Sequence, residues 1–349
     1  MREISPAEAL VTADILAGLP RRRIRTDEPA VPRRTRQAVR QRLLGRNLVR
    51  ERYVPCPALL GRPIVTFGLI HPYAEALGDV VQLFRRETTA VNVWSWDDLV
   101  FGVFFLAGAE EALSLHRRLG ESQGQRSAYW LDCDSREPTI PVFFDYEASW
   151  ARIAGLRGTE GYPRPLPSPP DSGPYASAKL SEPDRKTLLN ILVRQSRSDS
   201  LETGTNWLDR LMRGRRQSRL VLSGKLELRA FLDPVACSGW YSEFPNSCVF
   251  IHGLLSEGQR PADLFHALVE NSGVAPFVFA SDASTVLFVC FAKGLGDARS
   301  SSTAPGHPLL PTVQGFLRQI VVLRKPIANL QQPVSHEYGR PFAGADSSG

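Results

Sequence analysis

Apolar residues recur along this chain in helical and alternating patterns, and the order of these patterns repeats once. Residues 5–19 carry apolar residues at helical spacing behind the cap residue Ser5, and residues 33–44 form a second helical segment that ends at Gly45. The alternating segment 47–55 follows and predicts a strand. A short helix, a basic helix and a strand in this order are typical of a winged helix-turn-helix module.

The next stretch has the order of a ferredoxin-like module. The predicted strands and helices are, in chain order, strand 64–70, helix 73–86, strands 90–94 and 99–106, helix 109–119, and a fourth strand at either 127–132 or 139–144. This β-α-β-β-α-β order predicts one sheet with helices on one face and the other face open for a second sheet.

The same order returns after a segment that breaks all periodicity. Residues 155–184 contain seven prolines and four glycines, which predicts a linker. Helix 184–194, basic helix 208–222 and strand 226–232 follow, and then the strands and helix of a second ferredoxin-like module, at an offset of roughly 180–186 residues. We therefore predict an α+β fold of two repeats, each a winged helix-turn-helix followed by a ferredoxin-like βαββαβ domain.

The predicted domains follow from these patterns. In chain order they are a DNA-binding domain at 1–57, a ferredoxin-like domain at 62–150, a linker at 151–180, a second DNA-binding-like domain at 181–234, a second ferredoxin-like domain at 245–328 and a mobile tail at 329–349.

The positive charge of the chain is concentrated at its start. Of the 349 residues, 42 are Lys or Arg and 36 are Asp or Glu, for a net charge of +6. Residues 1–52 hold 13 arginines, no lysine and 6 acids, so their net charge is +7 and that of the remainder is −1. A compact surface with this charge attracts polyanions, and an arginine-only composition favours phosphates and guanine edges. The simpler alternative is a solvated face that keeps the protein in solution.

Composition excludes several classes of protein. An apolar content of 43% argues against a mostly disordered chain, and no apolar run is long enough to span a membrane. The N-terminus lacks a secretory pattern. Five scattered cysteines without a CxxC pair argue against a zinc ribbon or a disulfide framework, and fit a reducing cytoplasm. We expect no metal site and no cofactor.

Two motifs in the second repeat resemble those of a known family. Asp184-Arg185-Lys186 opens an apolar helix, and the segment 229–234 (RAFLDP) follows about 45 residues later. This spacing is similar to the Lrp/AsnC family of prokaryotic regulators, and segment 31–49 of the first repeat resembles the recognition helix of that family. The resemblance implies a cytoplasmic, nucleoid-associated transcription regulator that binds double-stranded DNA at two half-sites. It also implies ferredoxin-like domains that pair within the chain as a pseudo-dimer and bind an amino acid or a related small molecule.

The resemblance and the charge together select candidate site residues. The DNA-contacting candidates are Arg33, Arg34, Arg36, Gln37, Arg40, Arg50 and Arg52 in the first repeat, and Arg213, Arg215, Arg216 and Arg219 in the second. The family carries a glycine and an aspartate in the turn between the second and third strands. Both glycines are missing here, and Asp98 and Asp282 remain as effector-binding candidates.

Two alternatives stay open. Some haem-biosynthetic decarboxylases resemble the same fused architecture, and they would use His, Arg and Tyr against a tetrapyrrole such as sirohaem. His71 and His252 lie near the ends of equivalent strands and His266 lies on the following helix, but no paired carboxylates or phosphate loop accompany them, so we expect no enzyme and no catalytic residues. The other alternative is a protein-interaction module with degenerate DNA-binding units.

Overall fold

The computed structural model describes residues 1–17, 31–87, 89–120, 125–136, 143–144, 146–156, 180–196, 217–271, 276–292 and 309–331. Within these ranges the chain is α+β, with two repeats in the predicted order, so the predicted fold class is confirmed. No helix in the described ranges is long and apolar enough to cross a membrane.

The chain divides into two compact units that do not follow the order of the repeats. The first unit comprises residues 1–51, 141–165 and 229–330, and the second comprises residues 52–140, 166–228 and 331–349. Each unit therefore contains the helical module of one repeat and the ferredoxin-like module of the other. The predicted domain boundaries describe the order along the chain, and they stay a prediction.

The second unit contains the first ferredoxin-like sheet. Its elements are β2 (Ile64–Pro72), α3 (Leu77–Arg86), β3 (Ala90–Trp96), β4 (Leu99–Leu106), α4 (Ala109–Gly120) and β5 (Gln125–Asp134). The spatial order is β3-β4-β2-β5 and every neighbouring pair is antiparallel. The first of the two segments proposed for the fourth strand, 127–132, is therefore the one that enters the sheet.

The first unit contains the second sheet, which has the same topology. Its elements are β8 (Ser247–Leu255), α8 (Pro261–Asn271), β9 (Val278–Ser281), β10 (Thr285–Ala292), α9 (Leu309–Phe316) and β11 (Leu317–Pro326). The order is β11-β8-β10-β9, and the short strand β6 (Phe143–Phe144) extends it at the β9 edge, just before helix α5 (Glu147–Ile153). Residues 143–144 of the early segment 139–144 thus contribute to the second sheet, which the local pattern alone did not predict.

In both sheets the helices cover one face with apolar side chains. In the second unit Phe84 and Leu115 pack with Ile70 and Phe104, and all four are fully buried. The alternation of a strand places the residues on either side of Ile70 on the opposite face.

The helical modules begin with matching caps. Helix α1 (Pro6–Leu16) has a capping box, in which the Glu8 amide donates to Ser5 Oγ and the Ser5 amide donates to Glu8 Oε2. Helix α6 (Glu182–Ser196) begins the same way, with the Asp184 amide donating to Ser181 Oγ at 3.3 Å. The same local rule therefore starts both repeats.

The acid of each cap also binds an arginine at the end of the next helix. Glu8 is fully buried, and Arg42 of α2 (Arg33–Gly45) lies 3.1 Å from its Oε1. In the other unit Arg219 Nη2 donates to the buried Asp184 Oδ2 at 3.3 Å. Leu43 and Leu220, which follow the two arginines, are buried in the same way. These contacts fix the second helix against the first in both modules.

The two predicted wing strands pair with each other. They are β1 (Val49–Pro55) and β7 (Leu226–Leu232), and they form a two-stranded sheet. The Asp233 amide donates to the Leu48 carbonyl just beyond one end of the ribbon, and the Cys56 amide donates to the Lys225 carbonyl just beyond the other, so the strands are antiparallel. The short helix α7 (Pro234–Trp240) follows, capped by Asp233.

One prediction concerns Gly102 in the centre of β4. A Cβ atom at this position would lie 2.5 Å from Phe84 Cε1 and 2.8 Å from Phe104 Cζ, so Gly102→Ala overpacks the core and should lower the unfolding free energy by about 1–3 kcal/mol. In the matched variant Gly78→Ala the new methyl meets nothing within 4 Å, and α3 gains a better helix former. Denaturant titration compares the two, and equal stability of both variants would contradict the packing described here.

Candidate functional site

The predicted DNA-contacting residues of α2 differ in exposure. Arg33, Arg34 and Gln37 are exposed on the solvent side of the helix. Arg36 is half-buried, and its Nη2 lies 3.9 Å from Asp14 Oδ2 of α1. The helix therefore offers only part of its arginines to a partner.

Two further predicted contacts form ion pairs within the first unit. Arg40 pairs with Glu51, and Arg50 Nη2 donates to Asp233 Oδ2 at 2.7 Å. Asp233 is buried, so the removal of Arg50 would leave a carboxylate without its cation. These arginines contribute to the structure of the module, and their charge is largely compensated there.

The remaining candidates of the DNA-binding set are spread over the second unit. Arg52 is half-buried on β1, and Arg219 is the partner of Asp184 although its side chain is 72% exposed. Lys225 Nζ lies 3.8 Å from the same carboxylate. Three candidates lie outside the described residues, namely Arg213, Arg215 and Arg216.

The two effector candidates occupy the predicted turns. Asp98 is exposed between β3 and β4. Asp282 lies between β9 and β10, where its Oδ1 accepts from the amides of Ser284 and Thr285 at 2.7 and 2.6 Å. Asp282 therefore shapes its own turn, as expected of an aspartate that closes an Asx turn.

A different pair of residues is placed equivalently in both sheets. His71 lies on β2 and His252 lies on β8, the first strand of each ferredoxin-like module, and both are half-buried. Their preceding residues, Ile70 and Ile251, belong to the helix-covered cores, so the histidines lie on the opposite face of each sheet. His266 lies on α8, which covers the helix side, and so is not part of this arrangement.

Next to His71 the edge strand β5 contains a bulge. His71 pairs with Ser127 and Pro72 pairs with Gln125, so Arg126 is the extra residue between them. Arg126 is exposed, and its guanidinium carbon lies 5.2 Å from the centre of the Tyr73 ring. The end of this sheet thus brings together an imidazole, a cation and an aromatic ring.

Next to His252 the other edge strand, β11, contains a bulge as well. His252 pairs with Val321 and Leu254 pairs with Arg318, which leaves one extra residue on β11. Gln319 in this bulge has φ +52°, a left-handed conformation that is uncommon for a residue other than glycine. A Cβ atom on Gly253 would lie 3.2 Å from Leu317 Cδ1, so the strands approach closely here.

Both sheets therefore carry a histidine beside a bulge of the edge strand and an exposed arginine at that bulge. A guanidinium beside an imidazole can bind a carboxylate of a ligand. The imidazole can then exchange a proton with that ligand or coordinate a metal ion that the ligand carries. Sequence reasoning selected the histidines from their position at strand ends. It missed Arg126, Tyr73 and Arg318, because only the paired register brings them beside the histidines.

Burial controls the protonation of the second histidine. Removal of the imidazole from water lowers the pKa of His252 below its usual 6.5, and the carboxylate of Asp282 offsets part of this effect. The imidazole is therefore mostly neutral at pH 7, which is the form that can accept a proton or bind a metal ion. Within the described ranges no three His, Cys, Asp or Glu side chains come together to hold a metal ion by themselves.

Comparisons with known proteins find similarity in structure only. No protein-family model matches the sequence, and no curated protein matches it. Two crystal structures of the siroheme decarboxylase NirDL, one of them in complex with an iron-uroporphyrin III analogue, are similar in fold. Each shares 10% sequence identity and a TM-score of 0.45, over 91% of this chain and 90% of the other.

The lowered pKa of His252 predicts how acid affects stability. Because the unfolded chain binds the proton at higher pH than the folded chain, this group reduces the unfolding free energy as pH falls from 6.5 toward the folded pKa. In His252→Asn that part of the pH dependence disappears, whereas His266→Asn keeps it. Denaturant midpoints measured between pH 7 and pH 5 compare the three proteins, and identical slopes would contradict the burial of a neutral imidazole.

Proposed function

We propose that the two ferredoxin-like modules bind an anionic metallated tetrapyrrole and that the protein is an enzyme of the sirohaem-decarboxylase type. The observation that carries this proposal is the repeated placement of a histidine beside a bulged edge strand with an exposed arginine. His71 with Arg126 and His252 with Arg318 form this arrangement twice in one chain. Bulges are frequent where a strand aims side chains at a ligand.

The residue types suit the chemistry of such a ligand. Tetrapyrroles of this class carry several carboxylates, which arginine recognises through its forked donors. Decarboxylation releases CO₂ and requires a proton for the carbon that keeps the bonding electrons. An imidazole can carry that proton from solvent to the ligand.

The arginines of the helical modules support the same choice. Arg36, Arg40 and Arg50 have acidic partners within their own unit, so these three side chains are held in ion pairs and contribute to the structure of the module. The arginines beside the two histidines are exposed on the edge strands. In this proposal the ligand binds at the sheets, and most arginines of the basic helix stabilise the helical module.

The test uses sirohaem and iron-uroporphyrin with the full chain. We expect binding to shift the visible absorption spectrum, and we expect His71→Ala and His252→Ala each to weaken the shift because an imidazole is removed. Mass spectrometry of an anaerobic incubation with sirohaem should show products that have lost carboxyl groups. His266→Asn is the matched control and should bind and react like the wild type. A wild-type spectrum unchanged by either compound would exclude the proposal.

A second candidate function is DNA binding by an Lrp/AsnC-like, nucleoid-associated regulator. The observation that favours it is the solvent side of α2, where Arg33, Arg34, Gln37 and Gln41 are exposed and no acid interrupts them. Arginine and glutamine are residues that read guanine and adenine in the major groove. In this candidate function the paired arginines orient the helix and the exposed ones contact the DNA.

The two groups of arginines predict different effects on DNA binding. The double variant Arg33→Ala/Arg34→Ala removes exposed charge, so it should weaken DNA binding with little change in stability. The number of counterions released on binding, which sets the slope of the salt dependence, should fall by about two. Arg40→Ala removes an ion pair and should mainly lower stability. Gel shifts with genomic fragments at several salt concentrations measure the DNA affinity of each variant and its salt dependence. An unchanged salt slope in the double variant would count against a DNA-reading α2.

A further inference from the structure

The two histidine sites are similar but not identical, and one difference between them is an aromatic residue. In the first site Tyr73 follows the strand that carries His71, and Arg126 lies over its ring at 5.2 Å. In the second site the residue across from Arg318 is Leu254, which offers no aromatic face. Both positions lie two residues beyond the histidine of their strand.

The aromatic ring changes what its arginine can do. A guanidinium held over a ring loses part of its rotational freedom before any ligand arrives, so less entropy is lost when a carboxylate binds. Tyr73 is 42% exposed, so its ring is not fixed in the core and stays accessible at the edge of the site. Arg126 is also the extra residue of the bulge, so it has no partner residue on β2, and the direction of its side chain is not set by the alternation of the strand.

The second site has the opposite properties. Arg318 is exposed, and its neighbour Leu254 is half-buried and aliphatic. Leu254 therefore offers this guanidinium no aromatic ring on which to lie before a ligand arrives. The bulge of β11 places its extra residue after Arg318, whereas the bulge of β5 has the arginine itself as the extra residue.

We infer that Tyr73 pre-orients Arg126 and makes the first site the tighter of the two for carboxylates of an anionic macrocycle. This inference rests on the proposed function, since it concerns the affinity of the same sites. Tyr73 acts through Arg126, so it is a positioning residue. The replacement of tyrosine by leucine in the second repeat gives the chain two sites of unequal affinity.

The test exchanges the two residues and titrates iron-uroporphyrin. The wild type should bind with two affinities, and His71→Ala should remove the tighter phase. Tyr73→Leu should weaken the tighter phase about 2- to 5-fold, the range expected for an exposed cation–π contact, and Leu254→Tyr should strengthen the weaker phase by a similar factor. Tyr73→Phe keeps the ring and should bind like the wild type.

A double-mutant cycle separates positioning from simple structural damage. In an Arg126→Gln background Tyr73→Leu should have no further effect, because the residue it positions is gone. Additive losses, or unchanged affinity in Tyr73→Leu, would overturn the inference while binding by the wild type upholds the proposed function. Absence of any binding by the wild type would overturn both. Thermal denaturation of each variant checks that the sheet is intact.

Discussion

The rest of the structure depends on the ion pair between a buried carboxylate at the start of each helical module and an arginine of the next helix. Glu8 is fully buried, and its carboxylate pairs with Arg2 and Arg42 and accepts a hydrogen bond from the Ser5 amide. Burial of the Tyr241 ring, together with the negative charge of this carboxylate, raises the pKa of the Tyr241 hydroxyl. A buried charge is stable only when it is paired and hydrogen-bonded, so the second helix must dock where its arginine reaches the acid. Asp184 imposes the same condition on Arg219 in the other repeat. The repeated geometry of the modules follows from this one requirement.

That requirement also changes the meaning of the charge pattern. The sequence shows an arginine-only segment with a net charge of +7, and such a segment alone predicts a polyanion-binding surface. In the folded chain some of these arginines are held in ion pairs with acids of α1 and β1, which the net charge of the segment already counts, and one further acid comes from the segment after β7. That acid, Asp233, reaches Arg50 from the second repeat. Net charge is therefore a poor guide to exposed charge when the partners are far apart along the chain.

The order of strands and helices was predictable because it depends on local periodicity, which each segment carries by itself. The sheet topology followed from that order, since the ferredoxin-like arrangement allows one spatial order for it. The bulges that place Arg126 and Arg318 were not predictable, because they arise from the pairing of two strands far apart in sequence. The same reason hid the pairing of β1 with β7 and the entry of β6 into the second sheet. The capping box at Ser5, which is local, was predictable from the sequence, and the bond from the Asp184 amide to Ser181 Oγ repeats half of it in the second repeat.

The bulges have a consequence for how the protein behaves in a crowded cell. In the described part of the first sheet, a bridge from Gln331 covers the edge strand β3, and the other edge is the ten-residue strand β5. In the second sheet, β6 covers the edge at β9, and the other edge is the ten-residue strand β11. Long open edges can recruit strands of other chains and start aggregation. A bulge interrupts the regular row of donors and acceptors, and an exposed arginine beside it adds charge that an incoming strand would have to bury. The irregularity that forms a candidate binding site thus also protects each sheet from unwanted strand addition.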